Sequence, residues 1–353
     1  MRIATFGAYV ALALPIHAHP EAHSHENAKR EAGLVGRATG KCAAAIEARK
    51  VEMLAKRAGR LRERRFAEGK LDGSSFAKRN ELKYTTIQND TCVLAPDTVW
   101  GPYGIDGEMV RHDLRELSSG QEGLDFYLDI GLIDIETCNP LPKAALTIWN
   151  CNSTGTYSGY TGVNPDTVEL LDGWTKRSDG TTDDETFLRG VQITDSEGMV
   201  EFLTLFPGYY VSRTTHIHVT VQTNITNGTS YSASDVQHIG QLFFDEDLIN
   251  SIYQLSPYKA HLSTLNRTTN AEDSLYNTAS SDGYSAIISV SQIGDTLADG
   301  LVGYITIGVN ASAAGLTTTG GSVNVQGVIP TVSVGSSKYA EATAIDRADG
   351  YTS

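Results

Sequence analysis

Thr215-His216-Ile217-His218-Val219-Thr220-Val221 alternates polar and apolar side chains along its length. Successive side chains of a β-strand point to opposite faces, so His216 and His218 share one face while Ile217, Val219 and Val221 share the other. Comparable β-type runs occupy 124–135, 145–151 and 199–205, separated by clusters of Gly, Asn and Asp. That spacing predicts a mainly β fold, with an antiparallel β-sandwich core over residues 86–310.

Outward from this core the texture changes. Residues 31–85 are rich in Ala, Glu, Lys and Arg, with Ala43, Ile46, Met53, Leu54, Ala58 and Leu61 at near-helical spacing, which predicts an amphipathic N-terminal helical extension. Over 29–83 there are 16 Lys and Arg against 7 Asp and Glu, a net of +9, which leaves −23 on the rest of a chain whose net charge is −14. A basic helix can meet nucleic acid or an acidic surface. Packing against the acidic body, or against a second copy in a homodimer, is the expectation here, with no nucleic acid and no membrane as partner. Residues 159–186 read as a long surface loop that shapes a site, and 311–353 as a loosely held Ser/Thr/Gly-rich tail. No internal repeat is present.

Arg2 followed by an apolar run from Ile3 to Leu14 and then Pro15-Ile16-His17-Ala18 has the pattern of a signal peptide over 1–18, too short to span a bilayer. Lys29-Arg30-Glu31-Ala32 resembles a processing site, so 19–30, with His19, His23 and His25, reads as a pro-segment. Sequons at Asn89, Asn152, Asn224, Asn227, Asn266 and Asn310 agree with a secreted glycoprotein. In that compartment Cys42, Cys92, Cys138 and Cys151 favour disulfides over a soft-metal site, because no CxxC spacing occurs. Four cysteines allow three pairings. Cys138 with Cys151, which flank one short segment, is the favoured pair, leaving Cys42 for Cys92.

Two imidazoles on one strand face could share a metal ion, but HxH also occurs in strands that bind none. The neighbouring segments sharpen the signal. Trp149-Asn150-Cys151-Asn152-Ser153-Thr154-Gly155-Thr156-Tyr157, then Thr194-Asp195-Ser196-Glu197-Gly198, then Pro207-Gly208-Tyr209-Tyr210, then Arg213-Thr214-Thr215-His216-Ile217-His218 follow in this order. Together they resemble the W-x-A/C-N-x-x-G-x-Y, T-D-x-x-G, P-G-x-Y and R-x-x-H-x-H segments of the intradiol ring-cleavage dioxygenases. The resemblance runs from Gly101 through Gln241 and on toward Val309, and with Phe243-Phe244-Asp245 it is most similar to the secreted fungal branch.

The resemblance implies that Tyr157, Tyr210, His216 and His218 ligate ferric iron, with Tyr210 chosen over Tyr209 by its offset from Pro207. It further implies that Arg213 is the active-site arginine, that Gln241 orients ligands or oxygen, and that Trp149 lies beside the first tyrosine ligand. Tyr103 and Arg111 would line the pocket. His112, His238 and His261 lack paired spacing and read as ordinary surface or sheet residues. A phenol ionises near neutral pH only beside a strong Lewis acid, so two tyrosinates select Fe(III) over ferrous iron or zinc. With a hydroxide the three positive charges of the ion are balanced without a carboxylate. The implied reaction takes a catechol-type diol and O2 to a muconate-type product by cleavage between the two hydroxylated carbons, with Tyr210 taking up a diol proton. The competing readings are a non-catalytic secreted β-sandwich that binds phenolics or carbohydrate, and copper or zinc at the two histidines.

Overall fold

A computed structural model describes residues 101–167, 174–223, 236–280, 285–312 and 334–348, and in the N-terminal region 42, 57, 59–61 and 63. Among the described residues eight strands lie in two four-stranded sheets. One is ordered β4-β1-β8-β7, from β1 (Asp125–Asp134), β4 (Met199–Leu205), β7 (Ser289–Gln292) and β8 (Leu301–Val309). The other is ordered β3-β2-β5-β6, from β2 (Ala145–Trp149), β3 (Arg189–Ile193), β5 (His216–Gln222) and β6 (His238–Phe243). Short helices follow: α1 (Glu246–Ile252), α2 (Tyr258–His261), α3 (Ser274–Ala279) and α4 (Ser336–Ala348). Among the described residues no helix is long and apolar enough to cross a membrane.

The mainly β expectation holds, and its antiparallel part needs correction. The β3-β2-β5-β6 sheet is antiparallel throughout, whereas β1 pairs β8 in parallel from Phe126 opposite Leu301 to Asp134 opposite Val309. Local run spacing reports hairpins between sequence neighbours. It carries no trace of a pair whose strands are joined by nearly half of the chain, and such long connections permit parallel pairing.

One apolar cluster takes side chains from both sheets, among them Phe126, Leu128 and Ile130 of β1, Leu146 and Ile148 of β2, and Ile217, Val219 and Val221 of β5. Burying each such side chain contributes roughly 1.5–3 kcal/mol. The opposite, polar face of β5 is buried as well, since all seven of its residues are buried. Loops therefore cover His216 and His218 instead of solvent.

Most of the N-terminal extension falls outside the described residues. Where it is described, Leu61 joins Tyr127, Leu203, Ile293 and Val302, and Arg57 pairs with Asp129 at 3.2 Å and Glu201 at 3.0 Å. Cys42 is bonded to Cys138, and Cys151 is a buried free thiol, which overturns both favoured pairings; Cys92 lies outside the described residues. The physical reason is strand length: at about 3.3 Å per residue, β2 carries Cys151 roughly 20 Å beyond Ala145 and away from the Cys138 turn. The loose-tail expectation also fails over 334–348. The Asp346 carboxylate accepts the backbone N–H groups of His112 at 2.9 Å and Asp113 at 3.0 Å, and Lys338 donates to the Asp184 carbonyl at 2.9 Å.

Two outcomes follow. Peptide mapping without reduction should recover Cys42 linked to Cys138, with Cys151 alkylated only after unfolding; a Cys138–Cys151 peptide would contradict this topology. Burial, partly offset by Arg57, pushes the Asp129 pKa up to about 7 from an ordinary 3.8. The folded chain then holds a proton that the unfolded chain has lost, so this group's contribution to stability falls as pH rises from 3.8 to about 7. Asp129→Asn should gain on the wild type in denaturant midpoint between pH 4 and pH 8, and parallel profiles for the two proteins would refute it.

Candidate metal centre

His216 and His218 project from the same face of β5 with their Nε2 atoms 3.2 Å apart. The Nδ1 of His216 lies 2.7 Å from the carbonyl oxygen of Thr214, which takes up its N–H, so the ring presents its lone pair at Nε2. Trp149, at the end of β2 and in register with His218, stacks flat on that imidazole at 4.8 Å and 4°. Burial, reinforced by His216, holds the His218 pKa well below its ordinary value, so this ring is kept neutral and able to ligate.

Two phenols complete the convergence. The Tyr157 hydroxyl lies 3.4 Å and the Tyr210 hydroxyl 3.3 Å from His216 Nε2. Tyr157 follows β2 on a compact loop built around Asn152, whose Oδ1 accepts the backbone N–H groups of Thr154 and Thr156, each at 3.0 Å. Tyr210 follows β4 on the Pro207–Tyr210 turn, and the N–H of Gly208 donates to the carbonyl of Asn152 at 3.0 Å. The two segments meet backbone to backbone. A Cβ on Gly208 would stand 2.5 Å from the Ser153 carbonyl oxygen, and one on Gly155, which has φ +85°, would stand 2.3 Å from that of Tyr209. Only glycine allows this approach.

Of the adjacent tyrosines, Tyr210 enters the site and Tyr209 points away. Tyr209 donates to the Leu265 carbonyl and stacks on His261 at 4.5 Å, and His261 in turn pairs with Asp166 at 2.7 Å. His261 is thus a buried, paired residue that ties the 159–167 stretch to α2. Tyr103 stacks on Tyr157 at 4.3 Å and meets Tyr210 edge-on, closing the site with a further ring. Arg111 does not line it: its guanidinium is buried against the Arg189 and Thr186 carbonyls and Glu116. The Thr194–Gly198 element is the turn joining β3 to β4, with Asp195 accepting the Met199 N–H at 2.8 Å.

Arg213 is buried beside the phenols, with Nη1 3.5 Å from the Tyr210 hydroxyl and Nη2 donating to Gln241 Oε1. Gln241 stands directly opposite His218 on β6. Two contributors escaped the sequence reading. Arg189 donates to Ser158 Oγ at 2.7 Å, the Ser158 carbonyl at 2.6 Å and the Tyr103 carbonyl at 3.1 Å, and pairs with Glu108 at 3.0 Å. A charge inside the apolar run Phe187-Leu188-Arg189-Gly190-Val191 was its signal. Asp273 accepts from Arg213 Nε at 2.8 Å, and nothing in its local sequence marks it.

The donor set fits ferric iron. Among the described residues no group of three or more His, Cys, Asp and Glu side chains is placed to hold a metal. The convergence is instead two imidazoles and two phenols. Burial raises both phenol pKa values, with Tyr210 adding to the rise at Tyr157 and Arg213 opposing the rise at Tyr210, so the chain alone keeps both protonated. Their ionisation calls for a strongly Lewis-acidic cation.

Neither protein-family models nor curated proteins give a match to this chain. Among solved structures it is similar to an intradiol ring-cleavage dioxygenase from Tetranychus urticae, with 32% identity over 63% of this chain and 97% of that one and a TM-score of 0.50. A second dioxygenase crystal structure matches at 32% identity over 63% and 96%, with a TM-score of 0.49. The dioxygenase domain of a carbohydrate-binding fusion protein from Streptomyces sp. SirexAA-E matches at 21% over 61% and 97%, with a TM-score of 0.38. Of these three only the first reaches a TM-score of 0.5 and bears on kinship.

Because Gly208 has no room for a side chain, Gly208→Ala must part the two loops or strain them. Overpacking of this kind costs about 1–3 kcal/mol. Chemical denaturation of the metal-free protein should show that loss, and wild-type stability would mean that the loops do not meet as described.

Proposed function

The chain belongs to the intradiol ring-cleavage dioxygenases, which are oxidoreductases, and from that premise we propose that it is a secreted enzyme holding Fe(III) with Tyr157, Tyr210, His216 and His218 to cleave catechol-type diols. The observation that supports this most is the meeting of two phenol oxygens and the His218 Nε2 atom, each 3.2–3.4 Å from His216 Nε2, in a buried site. When bound, ferric iron supplies the Lewis acidity that ionises the phenols and the diol and prepares the ring for O2.

The chain's own residues supply the rest. Tyr210 is the phenol beside a cation, with Arg213 Nη1 3.5 Å from its oxygen, so its Oη is the group suited to receive a proton from an incoming diol. Arg213 offers fixed positive charge where negative charge develops on the substrate, and Gln241 holds one of its nitrogens. His216 keeps its Nδ1 proton on the Thr214 carbonyl and presents Nε2. Tyr103, Trp149 and Tyr160 wall the site with rings and exclude water, which strengthens each polar interaction inside. Secretion is supported by the signal-peptide pattern and the sequons, and places the substrate among diols met outside the cell.

Oxygen uptake by purified protein against catechol, protocatechuate and hydroxyquinol tests the reaction. The expectation is diol-dependent uptake with a ring-opened dicarboxylic product, and iron-replete protein inert toward every diol would favour a non-catalytic binding role. Tyr210→Phe should lower kcat by about 10²–10⁴-fold, the range of a lost acid–base group. Tyr209→Phe should keep activity and lose only about 1 kcal/mol of stability with its bond to Leu265. A reversal of the two phenotypes would displace Tyr210 from the ligand set.

A further inference from the structure

Asp273 is 1% exposed and is addressed from two directions. Its Oδ1 caps α3 by accepting the N–H groups of Leu275 at 2.8 Å and Tyr276 at 3.1 Å. Its Oδ2 accepts from Arg213 Nε at 2.8 Å and from the backbone N–H of Thr214 at 2.9 Å. Just upstream, Asn270 accepts from the Thr214 hydroxyl at 2.8 Å and donates to the Phe244 carbonyl at 2.8 Å. The short 270–273 segment thus grips both the guanidinium of Arg213 and Thr214, the residue whose carbonyl orients His216.

A guanidinium is planar, with donors in a rigid fork, so fixing the Nε edge fixes where both Nη atoms point. With Nε held by Asp273, Nη1 is turned toward the Tyr210 hydroxyl and Nη2 toward Gln241. The carboxylate also supplies the counter-charge without which a buried arginine is strongly disfavoured. We infer that Asp273 is a positioning residue for ring cleavage, acting through Arg213 to hold a cation at fixed aim beside Tyr210 and the substrate. This inference rests on the dioxygenase reading. A residue serving only as a helix cap would need Oδ1 alone.

Asp273→Ser separates the two roles, because serine is a good N-cap but is too short and uncharged to hold Arg213 Nε. In the iron-loaded enzyme it should lower kcat by about 10- to 100-fold, as lost support of a site residue does, with KM and iron content little changed. In an Arg213→Gln background the same substitution should change kcat less than about twofold, since coupled residues are not additive. In metal-free, ¹⁵N-labelled protein the Arg213 Nε–H resonance should be exchange-protected in wild type and lost in Asp273→Ser. If Asp273→Ser does not fold, Asp273→Asn serves in the same cycle.

An active wild type whose kcat survives the substitution, or whose losses at 213 and 273 simply multiply, overturns this inference alone. A wild type without diol-dependent oxygen uptake overturns the dioxygenase reading and this inference with it. In that case the Nε–H resonance still reports whether the pair exists.

Discussion

Everything at the centre depends on one close contact between two backbones. Gly208 lies against the carbonyls of Asn152 and Ser153, and Gly155 against that of Tyr209, at separations where any Cβ would collide. This contact joins the loop after β2 to the turn after β4, and so brings Tyr157 and Tyr210 to the same imidazole. The strands alone could not do this. β2 and β5 are neighbours that place Trp149 against His218, but the phenols come from irregular segments, which only a specific contact can aim.

The chemistry of the centre follows from burial. The rings of Tyr103, Trp149 and Tyr160 bury the centre, so in the chain alone the phenols stay protonated and His218 stays neutral, the form that can ligate a cation. The surrounding charges are paired instead of left to solvent: Arg213 with Asp273, and Arg189 with Glu108. Each buried pair also serves geometry, since Arg189 binds the Tyr103 and Ser158 segments together. Rigid placement of this kind suits the proposed role of admitting a planar diol while keeping solvent out.

What could be read in the sequence was whatever is encoded by short offsets. The alternation of β5 put both histidines on one face, and the family resemblance, through the three-residue step from Pro207, picked Tyr210 over Tyr209. Contacts between distant segments were not legible. Cys42 meets Cys138, and β1 lies parallel to β8, because of how the sheets assemble, which no local pattern records. Asp273 sits 60 residues from Arg213 and looks locally like any N-cap. Residues 311–353 suggested a loosely held tail by their Ser, Thr and Gly content, yet within them Asp346 finds the neighbouring N–H groups of His112 and Asp113. Arg111 was assigned to the pocket by its place in a motif, whereas its partners Thr186, Arg189 and Glu116 make it a brace.

The central claim is that two phenolates and two imidazoles hold ferric iron. Metal analysis together with the visible absorption spectrum of the protein as purified tests it most directly. The account predicts iron equimolar with the chain and a visible band from phenolate-to-iron charge transfer. Colourless iron-replete protein, or zinc or copper in its place, would contradict it.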